Sequence, residues 1–296
     1  QMINRIMYIS EAIMEADEAI GRLDGILERT PIEETSDPKH PESAEVTFEH
    51  VTFTYPGAAR PALDDVSFQV HTGQVVALVG PSGGGKTTAA SLIPRFWDVE
   101  SGCVRIGGVD VQEMDSAALM KQVAFVFQDT RLFKQSILEN IRAARPDATR
   151  QQVLAAARAA QCDDILAKLP KGLDTVVGTK GVYLSGGEAQ RIALARAILK
   201  DAPIIALDEA TAFADPENEH QIQKAFEALT RDKTVLMIAH RLSTVQNADQ
   251  ILVLADGKIA ERGTHSELLE KQGVYARMWE DYRRSAQWKV GKEEAE

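Results

Sequence analysis

The 296-residue sequence is poor in cysteine and contains no long apolar run. Its two cysteines, Cys103 and Cys162, are not spaced like metal ligands, which favours two reduced thiols in a cytosolic protein over a metal site or a disulfide framework. No run reaches the roughly 18 consecutive apolar residues of a membrane-spanning helix. A charged region followed by an apolar stretch and a cleavage site is also missing, which argues against secretion.

Basic residues are also in deficit. The chain has 33 Lys and Arg against 44 Asp and Glu, a formal net charge of −11. A surface that binds duplex nucleic acid needs clustered Lys and Arg, so the charge disfavours nucleic acid as the main partner and leaves room only for a local basic pocket. The hydrophobic content of 44% is ample for the core of one large domain or two small ones.

The two ends and the first linker differ in composition from the rest. Apolar residues recur every three or four positions in residues 1–29, which predicts an amphipathic helix. This helix could pack on its own domain or continue from an upstream membrane domain, and the start at Gln1 instead of Met favours the second interpretation. Residues 30–45 are Pro-rich and polar and are predicted as a linker, and residues 285–296 as a polar tail.

From Val46 onwards the sequence predicts an α/β fold. VTFEHVTF and VSFQV alternate like strands of an N-terminal antiparallel β subdomain, and VVALVG reads as a buried strand. CVRIG, VAFVF, PIIAL, TVLMIA and QILVL follow as strands, with helices near 86–95, 187–200, 216–229 and 264–284, which predicts a mostly parallel sheet covered by helices. Between Thr130 and Val182 the Ala-rich sequence predicts an inserted α-helical subdomain, at about 130–185.

The stretch GPSGGGKTT fits the phosphate-binding pattern G-x-x-x-x-G-K-[ST] directly after a buried strand. Its glycines let backbone N–H groups turn towards a polyphosphate, Lys86 faces the β- and γ-phosphates, and Thr87 can ligate Mg²⁺. An ordinary turn is the alternative. The predicted nucleotide-binding residues here are Gly80, Ser82, Gly83, Gly84, Gly85, Lys86, Thr87 and Thr88.

A second candidate element is the apolar strand PIIALDE, which ends in two carboxylates. Solvated acids at a strand end are the alternative, but beside a phosphate loop Asp208 is predicted to hold Mg²⁺ through water and Glu209 to polarise the attacking water. Both would lie at the carboxyl end of the sheet, where ligands bind in such folds.

A third element is LSGGE, at 184–188, followed by AQRIALARAIL and ALDEATA. With this combination, residues 46–284 resemble the ATP-binding cassette (ABC) family, which implies a P-loop NTPase (RecA-like) core, ATP and Mg²⁺. In that family LSGGE is the signature turn, and it closes over the γ-phosphate held by a second cassette. Ser185, Gly186 and Gly187 would supply a hydroxyl and free N–H groups for that contact, although a capped helix start is the alternative.

The resemblance implies roles for four more residues. Tyr55 matches the aromatic residue that stacks on adenine, although alone it reads as a strand-end Tyr. Gln128 matches the Q-loop residue that senses Mg²⁺ and contacts the membrane domain. His240 matches the switch histidine that touches the γ-phosphate, and Asp215 the D-loop aspartate that bridges two cassettes. The implied catalytic set is Lys86, Gln128, Glu209 and His240, and the implied metal set is Thr87, Gln128 and Asp208.

Two stretches depart from the usual pattern. Before the signature, a Gly-Glu-x-Gly turn is usual, but Lys180 replaces an acid in GTKG, which puts the usual cross-talk with the membrane domain in doubt. The D-loop sequence AFAD, at 212–215, is closer to ABC transporters linked to siderophore traffic.

The resemblance implies the ATPase domain of an exporter-architecture transporter, working as a homo- or heterodimer at the cytoplasmic face of a membrane. The alternative is a soluble ABC-type ATPase acting on nucleic acid or ribosomes. Such proteins carry an inserted coiled coil or two cassettes per chain, and this chain shows neither. A catalytically dead regulatory cassette is disfavoured because Lys86, Asp208 and Glu209 occur together with Ser185 and His240.

Overall fold

The computed structural model describes residues 2–28, 32–178, 182–208, 216–239 and 242–293. Residues Gln1–Glu34 and Thr35–Glu296 form two separate compact units. The first contains helix α1 (Met2–Leu27), whose apolar side chains Ile9, Ile13 and Ile20 are exposed. None of the helices in the described part of the chain combines the length and apolar character needed to span a bilayer.

The second unit contains all the strands among the described residues. In chain order they are β1 (Val46–Phe53), β2 (Leu63–Val70), β3 (Val75–Val79), β4 (Ser101–Ile106), β5 (Val109–Asp110), β6 (Val123–Val126), β7 (Ile204–Asp208), β8 (Thr234–Ile238), β9 (Gln250–Ala255) and β10 (Lys258–Gly263).

The helices of this unit lie between the strands and after the last of them. They are α2 (Lys86–Leu92), α3 (Ser116–Gln122), α4 (Ile137–Arg142), α5 (Arg150–Ala159), α6 (Asp163–Lys168), α7 (Gly186–Lys200), α8 (Pro216–Thr230), α9 (His265–Glu270) and α10 (Val274–Glu293). Most begin at a residue that favours helix starts. The side chains that accept the backbone N–H three residues on belong to Asp115, Ser136, Thr149, Ser185 and Thr264.

The strands form the two sheets that the sequence predicts. Among the described residues, one sheet is antiparallel with the order β2–β1–β4–β5, and the other has the order β10–β9–β3–β8–β7–β6. In the larger sheet β9, β3, β8, β7 and β6 are parallel, and only the edge strand β10 is antiparallel. The α/β class with a mostly parallel sheet and a separate antiparallel sheet is therefore confirmed.

Helix α2 packs between the two sheets. Its Ala89, Ala90 and Leu92 share one buried cluster with Phe48 of the antiparallel sheet and Leu78 of the parallel sheet. On the other side, α5, α7 and α8 cover β6 and β7 through a second cluster that includes Ile192 and Ile205. These two packed layers hold the carboxyl edge of the parallel sheet in place.

One strand was assigned to the wrong sheet. CVRIG was predicted among the strands of the parallel sheet, but β4 pairs antiparallel with β1, with Val46 opposite Ile106. Gly107 ties the end of β4 to the start of β1, because its N–H donates to Glu45 O at 2.8 Å, and its positive φ lets the chain then turn back into β5. Strands β5 and β10 and helix α3 were not predicted.

The helix predicted at 264–284 is two helices. The chain breaks at Gln272, which has φ 51°, and Gly273, where an added Cβ would lie 1.9 Å from Glu261 Oε1. The Glu261 carboxylate accepts the backbone N–H groups of Val274 and Tyr275 and so caps the start of α10. Helix α10 continues to Glu293, through much of the segment predicted as a polar tail.

The segment predicted as a helical insertion holds α4, α5 and α6. Isolated bridges Ser136–Val176 and Val177–Val182 tie its ends together. Buried Asn140 organises the loop before α4, because its side chain accepts from Phe133 N and donates to the carbonyls of Phe133 and Ser136. Arg196 of α7 donates to the Asn140 carbonyl, so the insertion is fixed to the signature helix.

Candidate nucleotide site

The carboxyl ends of the parallel strands gather the predicted phosphate-site residues at one edge. Gly80 follows β3, Gln128 follows β6, and Asp208 is the last residue of β7. The predicted residues Glu209 and His240 come directly after β7 and close after β8, but they and Asp215 lie outside the described residues, as does Lys180. Strand order alone thus brings the predicted phosphate loop and the predicted metal residue to the same edge.

The phosphate loop is built on backbone that requires glycine. Gly80 has φ +140°, and a Cβ there would lie 1.9 Å from Leu254 O at the end of β9. Gly85 has φ +99° and a Cβ would lie 2.4 Å from Ala62 O, in the segment before β2. The loop therefore packs backbone to backbone against both sheets, while Ser82 and Gly83 remain exposed at its outer side.

Lys86 is buried at the centre of this loop, only 5% exposed. Its ammonium donates to Gly80 O at 3.0 Å and to Pro81 O at 2.8 Å. Burial lowers the pKa of Lys86, and the negative charge of Asp208 opposes that shift. A partly desolvated cation is suited to holding a polyphosphate, because burial strengthens its attraction for negative charge.

Thr87 and Asp208 meet beside the lysine. The Thr87 hydroxyl donates to Asp208 Oδ2 at 3.3 Å, and Asp208 is 6% exposed. Hydroxyl and carboxylate oxygens are the donors that Mg²⁺ prefers, so this pair fits the predicted metal ion. Gln128 is exposed after β6 and makes no hydrogen bond within the described part of the chain.

Tyr55 lies in the loop after β1 and is tied to the phosphate loop. Its hydroxyl lies 3.1 Å from Thr88 Oγ1 in the first turn of α2. Its ring meets Phe53 and Trp97 edge-to-face, with centroids 4.9 and 5.4 Å away. The sequence analysis missed Trp97, which packs beside the ring and is 40% exposed. The signal available in the sequence was the position of this aromatic residue, shortly after the phosphate loop and helix α2.

The signature turn forms a complete capping box at the start of α7. Ser185 Oγ accepts from Glu188 N at 3.2 Å, and Ser185 N donates to Glu188 Oε2 at 2.8 Å. The capped-helix alternative is thus correct as local structure. The cap leaves the turn able to bind a further group. Ser185 and Gly186 are exposed, and the Ser185 hydroxyl, which accepts in the cap, can still donate its hydrogen.

A groove lies next to Gln128, between the carboxyl end of β6 and α7. Its volume is about 510 Å³. Exposed aromatic rings line it, with Phe127 51% and Phe133 56% exposed, and Arg196 and Lys200 form its basic side.

Comparisons with known proteins agree with these features. The ABC transporter family profile matches residues 63–212. The chain is 50% identical over 235 residues to an ATP-dependent lipid A-core flippase of Sodalis glossinidius, covering 79% of this chain and 40% of that protein. It is 51% identical over 259 residues to the mycobactin import ATP-binding/permease protein IrtA of Mycobacterium tuberculosis, covering 86% and 30%.

A solved structure shares the fold. A bacterial Atm1-family ABC exporter with ATP bound matches with a TM-score of 0.81 and 39% identity, over 92% of this chain and 47% of that one. The chain thus spans less than half the length of these relatives. The profile covers half of the chain, and the combination of motifs predicted the same result: the chain belongs to the ABC transporter family.

Proposed function

We propose that this chain is the ATP-hydrolysing domain of a membrane transporter, and that it works by closing with a second cassette over ATP. The observation that carries the proposal is the cluster of buried Lys86 with Thr87 and Asp208 inside a glycine loop at the carboxyl edge of the sheet. That cluster supplies a cation for phosphates and oxygen donors for a metal in one place.

The chain's own residues bind and orient ATP. Lys86 gives its ammonium to the β- and γ-phosphates, and the loop from Gly80 to Thr88 gives backbone N–H groups. Tyr55 presents its ring to adenine, and its hydrogen bond with Thr88 fixes the ring relative to the phosphate loop. Thr87 and Asp208 would hold Mg²⁺, which neutralises phosphate charge when bound.

Hydrolysis needs a base beside the γ-phosphate. Glu209 accepts a proton from the attacking water as the water oxygen bonds to phosphorus and the bond to the leaving ADP oxygen breaks. Its position directly after buried Asp208 supports this role. We assign His240, which follows β8 closely in the sequence, to the γ-phosphate, and Gln128 would join Thr87 and Asp208 in holding the metal.

The second cassette completes the site. Ser185, Gly186 and Gly187 reach the γ-phosphate held by a partner cassette, either a second copy or a different one, and Asp215 bridges the two. The exposure of Ser185 and Gly186 is compatible with this assignment, because a partner cassette can reach both residues.

A transmembrane domain is the other proposed partner. The groove beside Gln128, with exposed Phe127 and Phe133, is suited to a segment of that domain at the cytoplasmic face of the membrane. The candidate substrates are a lipid and a siderophore, since the identities to the two kinds of relative, 50 and 51%, are nearly the same and do not separate them. The siderophore proposal rests on the AFAD stretch and on the mycobactin relative.

The soluble alternative, an ATPase acting on nucleic acid or ribosomes, predicts ATP turnover that nucleic acid stimulates. The net charge of −11 argues against it. Measured turnover with and without added duplex DNA or ribosomes separates the two: stimulation by either would favour the alternative.

A mixing experiment tests the shared site. Lys86→Ala and Ser185→Arg are each placed in a Glu209→Gln chain, so that bound ATP is not hydrolysed. Each homodimer should trap no ATP, because both of its sites lack either the cradle or the signature. On mixing, one site per dimer pairs an intact Lys86 with an intact Ser185, and one trapped ATP per dimer is expected. If dimers form and mixing traps nothing, LSGGE does not serve the partner's nucleotide.

A further inference from the structure

Trp97 lies beside Tyr55, the proposed adenine contact, but takes no part in the proposed phosphate chemistry. It comes shortly after α2 ends at Leu92 and is 40% exposed. Its neighbour Phe96 is almost equally exposed, at 39%, but packs against Phe125 and Phe127, with centroids 5.7 and 6.2 Å away. The two adjacent rings thus have different surroundings, and Trp97 is the one that meets Tyr55.

The ring of Tyr55 is held by three contacts. Phe53 and Trp97 meet it at interplanar angles of 85° and 88°. Aromatic pairs favour this edge-to-face arrangement, because the positive edge of one ring meets the negative face of the other. The third contact is at the end of the ring, where the hydroxyl lies 3.1 Å from Thr88 Oγ1. Tyr55 is nevertheless only half-buried, so part of it remains open to a ligand.

An ion pair fixes the backbone that carries Trp97. Arg95, which is 7% exposed, donates from Nε to Asp98 Oδ1 at 2.7 Å and from Nη2 to Oδ2 at 3.1 Å. Two parallel charge-assisted bonds of this kind define the relative orientation of the two groups. Because the pair closes a short turn around Trp97, it restricts the direction in which the indole can point.

Glu100 joins the same segment to the chain that carries Tyr55. Its backbone N–H donates to Thr52 O at 3.0 Å, and its carboxylate Oε1 accepts from Thr54 N at 3.0 Å. Thr54 directly precedes Tyr55. The backbones of Trp97 and Tyr55 are therefore tied together, so that the contact between the two rings does not depend on the side chains alone.

We propose that Trp97 is a positioning residue of the adenine subsite, which holds the Tyr55 ring in the orientation that stacks on the base. A tyrosine ring that is free to rotate must be ordered when the nucleotide binds, and that ordering weakens affinity. A ring that is already held avoids this loss. The inference rests on the proposed function, since it requires adenine at Tyr55, and it assigns to Trp97 an effect on the base and none on the phosphates.

The test compares ADP with inorganic pyrophosphate, each with Mg²⁺. ADP lacks the γ-phosphate and pyrophosphate lacks the base as well, so hydrolysis and closure over ATP do not enter the measurement. Titration calorimetry gives the affinity for ADP, and displacement of ADP gives the affinity for pyrophosphate. Trp97→Ala should weaken ADP binding roughly two- to tenfold, as expected for the loss of one edge-to-face aromatic contact, and leave pyrophosphate binding unchanged.

Two further variants separate positioning from damage to the fold. Trp97→Phe keeps an aromatic ring beside Tyr55 and should bind ADP much as the parent does. Phe96→Ala is the matched control, because it removes a ring of the same exposure from the adjacent position without touching Tyr55. It should leave the affinities for both ligands unchanged.

A double-mutant cycle shows whether Trp97 acts through Tyr55. Tyr55→Ala should itself weaken ADP binding. In a chain that already carries Tyr55→Ala, Trp97→Ala should have no further effect on ADP, because the ring that it positions is gone. A full effect of Trp97→Ala in that chain overturns the positioning role, since Trp97 then acts independently of Tyr55.

Other outcomes contradict the inference or its basis, and they are distinguishable. Unchanged ADP affinity in Trp97→Ala overturns the inference, as does a loss in Trp97→Phe or Phe96→Ala equal to that in Trp97→Ala. Equal weakening of ADP and pyrophosphate also overturns it, because the phosphate loop is then disturbed. Unchanged ADP affinity in Tyr55→Ala instead rejects the adenine contact, and failure of pyrophosphate to displace ADP from the parent rejects the phosphate site.

Discussion

Replacing Lys86 tests the phosphate site most directly. In this structure its ammonium donates to two neutral carbonyls, those of Gly80 and Pro81, at 3.0 and 2.8 Å. With ATP bound, we expect it to donate to charged phosphate oxygens instead. A hydrogen bond with a charged partner contributes about 1.5–3 kcal/mol, so Lys86→Ala should weaken ATP binding roughly tenfold to hundredfold.

Titration calorimetry with ATP and Mg²⁺ measures this loss. Lys258→Ala is the matched control, because it removes the same charge from a 64% exposed side chain whose ammonium pairs with Asp64 at 3.0 Å. An exposed pair of this kind is worth about 0–1 kcal/mol, and no ATP contact is proposed for it. Equal affinities in Lys86→Ala and the parent would refute the site.

The same lysine predicts a pH dependence. Burial lowers the pKa of Lys86, with Asp208 opposing the shift, so the free protein loses this positive charge at a lower pH than an exposed lysine does. We expect ATP to bind only when Lys86 is charged. Affinity in the parent should therefore fall as the solution becomes alkaline, and Lys86→Ala should lack this decline. The same decline in both proteins would assign it to another group.

Further predictions concern the base, the adenine contact and the C-terminal helix. Glu209→Gln should still bind ATP yet barely hydrolyse it, since an amide cannot accept the proton from water, and gel filtration with ATP and Mg²⁺ should show more dimer; substantial turnover would mean a different base. Tyr55→Ala should weaken ATP binding by about 1–3 kcal/mol with little discrimination between ATP and GTP in the parent, because a ring face does not read base edges, and a strong preference in binding titrations would contradict this. Burial raises the pKa of Tyr275 to about 12, so the unfolded chain releases this proton first as pH rises from about 10, and stability should fall over that interval. Urea unfolding of Tyr275→Phe should show a shallower alkaline loss; an unchanged slope would exclude Tyr275 as its source.

Local patterns in the sequence were sufficient for the phosphate loop and for most strands. The run from Gly80 to Thr88 follows a strand and opens a helix, because its glycines, lysine and threonine are all specified within nine letters. The pairing of strands could not be predicted in the same way. The sequence of β4 alternates like any strand, and its place beside β1 depends on a turn at Gly107 and Gly108 and on contacts over 50 residues away.

Polar contacts between residues far apart in the chain could not be predicted either, because the local sequence does not show which residues meet. Arg191 is 27 residues from both Asp164 and Asn218, and no local sequence pattern links these three residues. The break at Gly273 depends on the carboxylate of Glu261, which arrives from a strand on the other side of α9. A glycine in a helical pattern was visible, but the acid that caps the next helix was not.

The bracing of the phosphate loop has a consequence for the thermodynamics of binding. Gly80 and Gly84 lie so close to the Leu254 carbonyl that an added Cβ would come within 1.9 and 2.7 Å of it, and Lys86 fastens the loop from inside. Strand β9 thus shapes the loop before any nucleotide arrives. Little conformational entropy is then left for ATP to remove, so a larger share of its contact energy appears as affinity. The entropy cost of ordering the loop is instead met when the chain folds, and the hydrogen bonds of the sheet offset that cost.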